Sequence, residues 1–147
     1  MKTIRFYKEF GEYGYLATYS NHGFFKDGIY WKTSEHYYQA QKFLEPEVKL
    51  KIANAETPKI ASTIGRDRNL NLRSDWEEIK QDIMYDAVYF KFKQNKDILR
   101  KLLDTDNAEL VETTVKENYW GCGPNNDGQN NYGKILVRVR KQLRAEQ

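Results

Sequence analysis

The segment from Ser74 to Lys93 constrains the fold most, because Trp76, Ile79, Ile83, Ala87 and Phe90 recur in it at helical spacing. A helix of that length needs partners along its apolar face, so the spacing predicts an element that crosses the core, with the rest of the chain arranged around it. Its start reads as a capping box: Ser74 accepts from the amide of Glu77, and the Glu77 side chain reaches back to the amide of Ser74. With 147 residues the chain fits one domain spanning 1–147, long enough to bury a core around such a helix.

The other elements follow from punctuation. Short strands are expected at 4–7, 14–17 and 29–32, the last after the turn signal Lys26-Asp27-Gly28. From Ser34 the period becomes helical through Leu44, and Pro46 then opens a second helix over 47–55. Thr57-Pro58 repeats the device, with Thr57 as N-cap and Gly65 as the stop, which leaves Arg66 and Arg68 in a loop. A helix over 96–103 comes next, and 108–114 reads as either a strand or a helical turn. Turn residues then dominate from Trp120 to Gly133, before a last helix over 132–143 that buries Ile135, Leu136, Val139 and Leu143.

Composition removes several function classes. There is no run of about 18 apolar residues and no charged-then-apolar leader, so a soluble, cytoplasmic protein without membrane contact is expected. The one cysteine, Cys122, cannot form an intramolecular disulfide, and His22 and His36 belong to no ligand cluster, so neither a metal nor a cofactor is expected. Net charge is +3, too mild to announce a general nucleic-acid binder. The basic runs Lys91, Lys93, Lys96, Arg100, Lys101 and Arg138, Arg140, Lys141, Arg144 read as solvated helix faces.

Two places could carry chemistry. At 100° per residue, Glu35, Gln39 and Lys42 share a stripe of roughly 60° on one helix, beside Tyr38, Ala40 and Phe43. That face is either a salt-bridged surface or a pocket wall in which a carboxylate acts as acid, base or nucleophile. The second place is the glycine-rich loop. Trp120 stands at its entrance as a platform for a flat ligand, while Gly121, Gly123, Gly128 and Gly133 would let backbone amides approach an anion. Arg66 and Arg68 offer planar donors to phosphate or cap a helix end, and Trp76 anchors the core or lines the pocket. His36 faces about 100° away from Glu35 and reads as structural. Glu112 and Glu117 read either as second carboxylates of the site or as merely solvated side chains.

The run Glu35-His-Tyr-Tyr-Gln-Ala-Gln-Lys-Phe43, followed in order by Thr57-Pro58, Gly65-Arg66, Arg73-Ser-Asp75-Trp76, Lys91-Phe92, Trp120-Gly-Cys-Gly123 and Gly128-Gln-Asn130-Asn-Tyr-Gly133, resembles the NADAR family. The resemblance covers nearly the whole chain. It implies an α+β fold, a single compact, mainly helical domain with a few short strands. It also implies hydrolysis of an N-glycosidic bond between ribose and an exocyclic amine. The implied partner is a small nucleotide-like substrate, a ribosylaminopyrimidine phosphate of early riboflavin synthesis, or ADP-ribosylated guanine in nucleic acid. Two departures stand out. Leu16-Ala-Thr-Tyr19 replaces a frequent Leu-Ser-Asn-Phe, and Glu117 stands where an aspartate is frequent, three residues before the loop tryptophan.

Under that resemblance Glu35 and Lys42 are the expected catalytic pair, and Arg66, Trp76, Trp120, Gly121, Gly123 and Asn130 the expected substrate contacts. Glu35 would stabilise an oxocarbenium-like ribosyl centre or handle its protons. Lys42 is either a cation at the site or a neutral nucleophile that forms a Schiff base with ring-opened ribose. The alternatives are a non-catalytic module that binds ADP-ribose or ribosylated nucleic acid, and a general RNA or DNA binder.

Overall fold

The computed structural model describes residues 2–147. Its first strand, β1 (Thr3–Phe6), leads into a single 3-10 turn at Gly14–Leu16. A hairpin of β2 (Phe24–Lys26) and β3 (Ile29–Trp31) follows, then helices α1 (Ser34–Ala40), α2 (Pro46–Ala53), α3 (Pro58–Gly65), α4 (Trp76–Gln94) and α5 (Lys96–Leu103). The chain closes with β4 (Glu109–Glu112) and α6 (Asn131–Ala145). The fold is α+β and mainly helical, as the resemblance implies.

α4 lies between α1 on one side and α6 on the other. That position explains why its buried set, Trp76, Met84, Ala87, Val88, Lys91 and Phe92, is not the single stripe read from the sequence. Ile79, Ile83 and Phe90 pack at its margins, half-buried, because two neighbours divide the helix surface between them. On α6 the buried residues include Ile135, Leu136, Val139 and Leu143, as the spacing predicts.

Several local expectations change. Residues 14–17 form no strand: Leu16 and Ala17 bond back three residues to Tyr13 and Gly14, because a short apolar run alone does not distinguish strand from turn. Phe24–Lys26 pairs antiparallel with Ile29–Trp31 through Asp27 and Gly28, both at positive φ, which is the two-residue hairpin that an Asp-Gly pair favours. α1 stops at Ala40 rather than Leu44, and its last turn tightens as Lys42 N donates to the Gln39 carbonyl. The capping box at Ser74 does not form. Arg73 claims both oxygens of Asp75, at 2.7 and 3.2 Å, and Glu77 turns instead to Lys80.

Residues 108–114 resolve as a strand, β4, which pairs in parallel with β1 so that Phe6 faces Glu112. Gly65 ends α3 without leaving right-handed space, and Arg66 at φ −94° is the cap. The glycine is needed for a different reason: a Cβ there would collide with the Gln39 side chain, so it sets how closely α3 approaches α1. The charged runs are not all solvated. Lys91 is wholly buried, and Arg140 is buried with a 2.9 Å bond to Thr105. Among the described residues, no helix is long and apolar enough to cross a membrane.

Candidate active site

Glu35, Gln39 and Lys42 do share one face, and that face is a wall of a cleft of about 800 Å³. Thr33 caps α1 by accepting from the amide of His36, which fixes the phase of the helix. His36 points the other way. Its Nε2 donates to the Ala55 carbonyl at 3.0 Å and its Nδ1 meets Thr33 at 2.8 Å, so it bolts α1 to the end of α2, and burial pushes its pKa down.

Glu35 is buried, and each of its oxygens accepts a hydrogen bond, Oε1 from the Thr18 hydroxyl at 2.8 Å and Oε2 from Gln39 Nε2 at 2.7 Å. Thr18 belongs to the departure from the family pattern, and here its hydroxyl supplies a donor to Glu35. Above this floor Lys42 Nζ lies 3.4 Å from the Gly65 carbonyl, between the rings of Tyr38 and Trp76. Burial drives the Lys42 pKa down; Glu35 pulls it back up and Arg66 pushes it further down. Two residues of this cleft carry a buried polar atom without a partner, Ser62 Oγ and Gln39 Oε1, the latter turned against Gly65. Tyr19 stands beside Ser62, its phenol pushed up by burial and then by Glu35, with the Ser62 hydroxyl offsetting part of the rise. Unpartnered buried groups are rare, and water or a ligand in the cleft can pair with such an atom.

The positions expected to touch substrate divide into two sets. Arg66 and Trp120 line the cleft: Arg66 is exposed at its mouth beside Lys59 and Thr63, and Trp120 is half-buried. Trp120 stands edge-on to Tyr38 at 5.9 Å, and Glu117 holds it there by accepting the amides of Tyr119 and Trp120 on one oxygen. Glu117 is therefore half-buried and occupied rather than solvated. Trp76 lies behind the wall, packed against Tyr38 at 5.2 Å, and supports the cleft without lining it.

Gly121, Gly123 and Asn130 lie outside the lining of the cleft and shape the loop beside it. Cys122 N donates to the Glu112 carbonyl, Gly123 N to Thr114, Gly128 N to Cys122 and Asn130 N to Gly121, so these loop amides are spent on the protein's own carbonyls. Gly123 takes φ +73°, and a Cβ on Gly121 would come within 3.0 Å of the Glu112 carbonyl. Asn130 donates to the Leu110 carbonyl and accepts the Glu112 amide, and its side chain borders a shallower depression with Gly128 and Lys134.

The residue that sequence reasoning left undecided between a second carboxylate and a solvated one is Glu112. It closes β4, lines the same cleft, and its carboxyl is raised to about 7, chiefly by burial and then by the charges of Glu35 and Glu117. The available signal was its place at the end of the apolar run Leu110-Val111, which becomes informative only once that run is known to be a strand. Lys91, unexpected here, donates to the carbonyls of Tyr15 at 2.6 Å and Ala17 at 2.8 Å, while the Tyr132 hydroxyl bonds the carbonyl of Leu16 between them. Three successive carbonyls of the turn that delivers Thr18 are thus pinned from α4 and α6. Burial pushes the Lys91 ammonium down to about 7.

A family model described as NADAR domain matches residues 5–144. The chain is 42% identical over 145 residues to N-glycosidase Npun_R5314 of Nostoc punctiforme, covering 97% of this chain and 93% of that protein. It is 39% identical over 143 residues to N-glycosidase YbiA of Escherichia coli, covering 97% and 89%. An NMR structure of that E. coli protein matches this fold with a TM-score of 0.91 over 99% of this chain and 86% of that one. Riboflavin biosynthesis protein VVA0006 of Vibrio vulnificus is 36% identical over 140 residues, which take in 95% of this chain and 38% of that longer protein.

Proposed function

This chain belongs to the NADAR domain family, and from that premise we propose that its cleft releases an exocyclic amine from the ribose of a nucleotide-like substrate. The chain is a hydrolase of N-glycosyl bonds, as its N-glycosidase relatives are named. The observation that carries the finer reading is the setting of Glu35, a buried carboxylate with a hydrogen bond on each oxygen, facing a cleft that opens between cationic side chains.

N-glycoside cleavage builds positive charge at the ribosyl carbon, and a fixed carboxylate stabilises that charge without having to reorganise. Glu35 faces C1′ in this reading and takes the proton of the attacking water. Gln39 Oε1 and Ser62 Oγ, both without partners, pair with ribose hydroxyls. Trp120 stacks on the flat leaving amine, and Lys59 and Arg66 at the mouth hold phosphate. Two substrates fit this chemistry, a ribosylaminopyrimidine phosphate and guanine carrying ADP-ribose in nucleic acid, both at home in the cytoplasm. The riboflavin class draws support from the name of the Vibrio relative.

Offering the purified protein both compounds and following amine release by mass spectrometry tests the reading; release from neither removes it. A second reading is favoured by one observation, the downward shift of the half-buried Lys42 against the pull of Glu35. A neutral Lys42 amine attacks C1′ of the ring-opened iminium form of the riboside, the exocyclic amine departs with the C1′–N electron pair and a proton as the Schiff base forms, and water later resolves that Schiff base to free ribose and Lys42.

A further inference from the structure

Three carboxylates line the cleft, and the structure treats them differently. Glu35 accepts from Thr18 and Gln39, and Glu117 accepts two backbone amides. Glu112 alone receives no hydrogen-bond donor on its carboxyl among the described residues. Its backbone, by contrast, is held on both sides. The amide donates to Asn130 Oδ1 at 3.1 Å and the carbonyl accepts from Cys122 N at 2.9 Å, while Asn130 Nδ2 bonds the Leu110 carbonyl at 2.9 Å. Gly121 makes this close approach of loop to strand possible. The motif residues that the sequence suggested for ligand contact therefore act on the placement of Glu112.

We propose that Glu112 is the second catalytic group of the cleft, the acid that gives its proton to the departing amine nitrogen. The assignment rests on the N-glycosidase reading above and adds to it the source of the leaving-group proton. As the C1′–N bond breaks, its electron pair stays on nitrogen, and nitrogen takes the Glu112 proton and departs as a neutral amine. Water adds to C1′ and yields its proton to Glu35; afterwards Glu112 regains a proton and Glu35 loses one through solvent, so the cycle closes. If the Lys42 amine meets C1′ first, the departing nitrogen needs the same proton.

The surroundings of Glu112 suit this part. Glu35 from α1 and Glu117 from the loop place negative charge near it, and burial adds to their effect, so its carboxyl is raised to about 7. Tyr132 of α6 is close but gives its hydroxyl to Leu16. Of the cations on the same cleft, Lys42 donates to the Gly65 carbonyl, Lys59 and Arg66 stand exposed at the mouth, and Lys8 and Lys116 are exposed beyond β1 and β4; among the described residues none forms an ion pair with Glu112. Two carboxyl groups with opposed environments in one site are the usual pattern for divided acid and base roles.

The test compares wild type with Glu112→Gln on a ribosylaminopyrimidine phosphate and on the same ribosyl phosphate carrying 4-nitrophenolate, which leaves without a proton, from acid to alkaline pH. Expected on the amine substrate is a loss of about 10²–10⁴ in kcat with KM nearly unchanged, together with disappearance of the alkaline limb that wild type shows above about pH 7. On the nitrophenyl compound the two proteins should stay within about tenfold. Equal losses on both compounds, or an E112Q rate on the amine close to wild type, overturn the proposal while leaving the N-glycosidase reading intact. Wild-type failure on both compounds and on a guanine-ADP-ribosylated oligonucleotide removes that reading instead. Carboxyl ¹³C NMR, with the Glu112 signal assigned by its absence in E112Q, decides the acid independently: a midpoint near neutrality sustains it, and one in the ordinary carboxylate range ends it.

Discussion

Thr18 grips Glu35 at two points: its hydroxyl donates to Glu35 Oε1 at 2.8 Å, and its carbonyl accepts the Glu35 amide at 3.2 Å. The backbone contact seats the start of α1 and the side-chain contact aims the carboxylate. Thr18→Val keeps the first and removes the second. A lost hydrogen bond to a charged group costs about 1.5–3 kcal/mol, so kcat/KM should fall roughly 10- to 100-fold with little change in melting temperature. Thr18→Ser should recover most of the loss. Equal rates for the valine variant and wild type would show that Glu35 needs no aiming.

Glu35→Gln separates binding from turnover. The amide keeps the size of the side chain and an acceptor for Thr18 but cannot stabilise a ribosyl cation. Its kcat should drop by about two to four orders of magnitude, while calorimetric affinity for the ribosyl phosphate product stays near wild type. Loss of both together would make Glu35 a folding residue.

For Lys42, borohydride added during turnover should leave a ribosyl adduct that peptide mass spectrometry places on this residue, because burial shifts the amine toward its neutral form. A protein that turns over and traps nothing leaves Lys42 the role of a cation.

Glu112 also gives a stability signature. Its folded pKa of about 7 lies above the ordinary 4.5, so between those values the folded state holds a proton that the unfolded state has lost. Wild type therefore loses stability as pH rises through that window, and the cost is complete above about 7. Glu112→Gln escapes it. In urea melts the variant should gain roughly 2 kcal/mol over wild type at mildly alkaline pH, and the gain should vanish near the bottom of the window. A pH-independent difference would place the carboxyl in water.

Lys91→Met strips the Tyr15 and Ala17 carbonyls of their donor inside the core. Each orphaned group costs about 1–3 kcal/mol, so the urea midpoint should drop clearly and the rate with it, as the turn before Thr18 loosens. The folded pKa of about 7 lies below the ordinary 10.5, so wild type gains stability on Lys91→Met as pH rises through that interval. A gap that stays constant through that interval instead would mean the buried amine stays charged.

What the sequence made legible was local. The Glu35 stripe follows from helical periodicity, the cap at Thr57 from short-range chemistry, and the final helix from an unbroken apolar spacing. What it hid depends on residues far apart. Glu112 is separated from Glu35 by most of the chain, and its environment exists only after β4 pairs with β1 and the glycine loop folds back on it. Lys91 looked solvated because its run is charged, although Ala87 stands one helical turn before it on a buried face. Gly65 and Gly121 were read for freedom of backbone, when their use is the room they leave for a neighbour.

The parallel pairing of β1 with β4 joins Thr3 to Glu109, positions more than a hundred residues apart. Closing so wide a loop is slow compared with forming the intervening helices. The helical body, with Glu35 already seated on α1, can therefore assemble before the strand that carries Glu112 docks. An intermediate of that kind would bind ribose hydroxyls yet lack its acid, so catalytic competence would arrive as a late, separately timed event and offer a kinetic clock for the final step of folding.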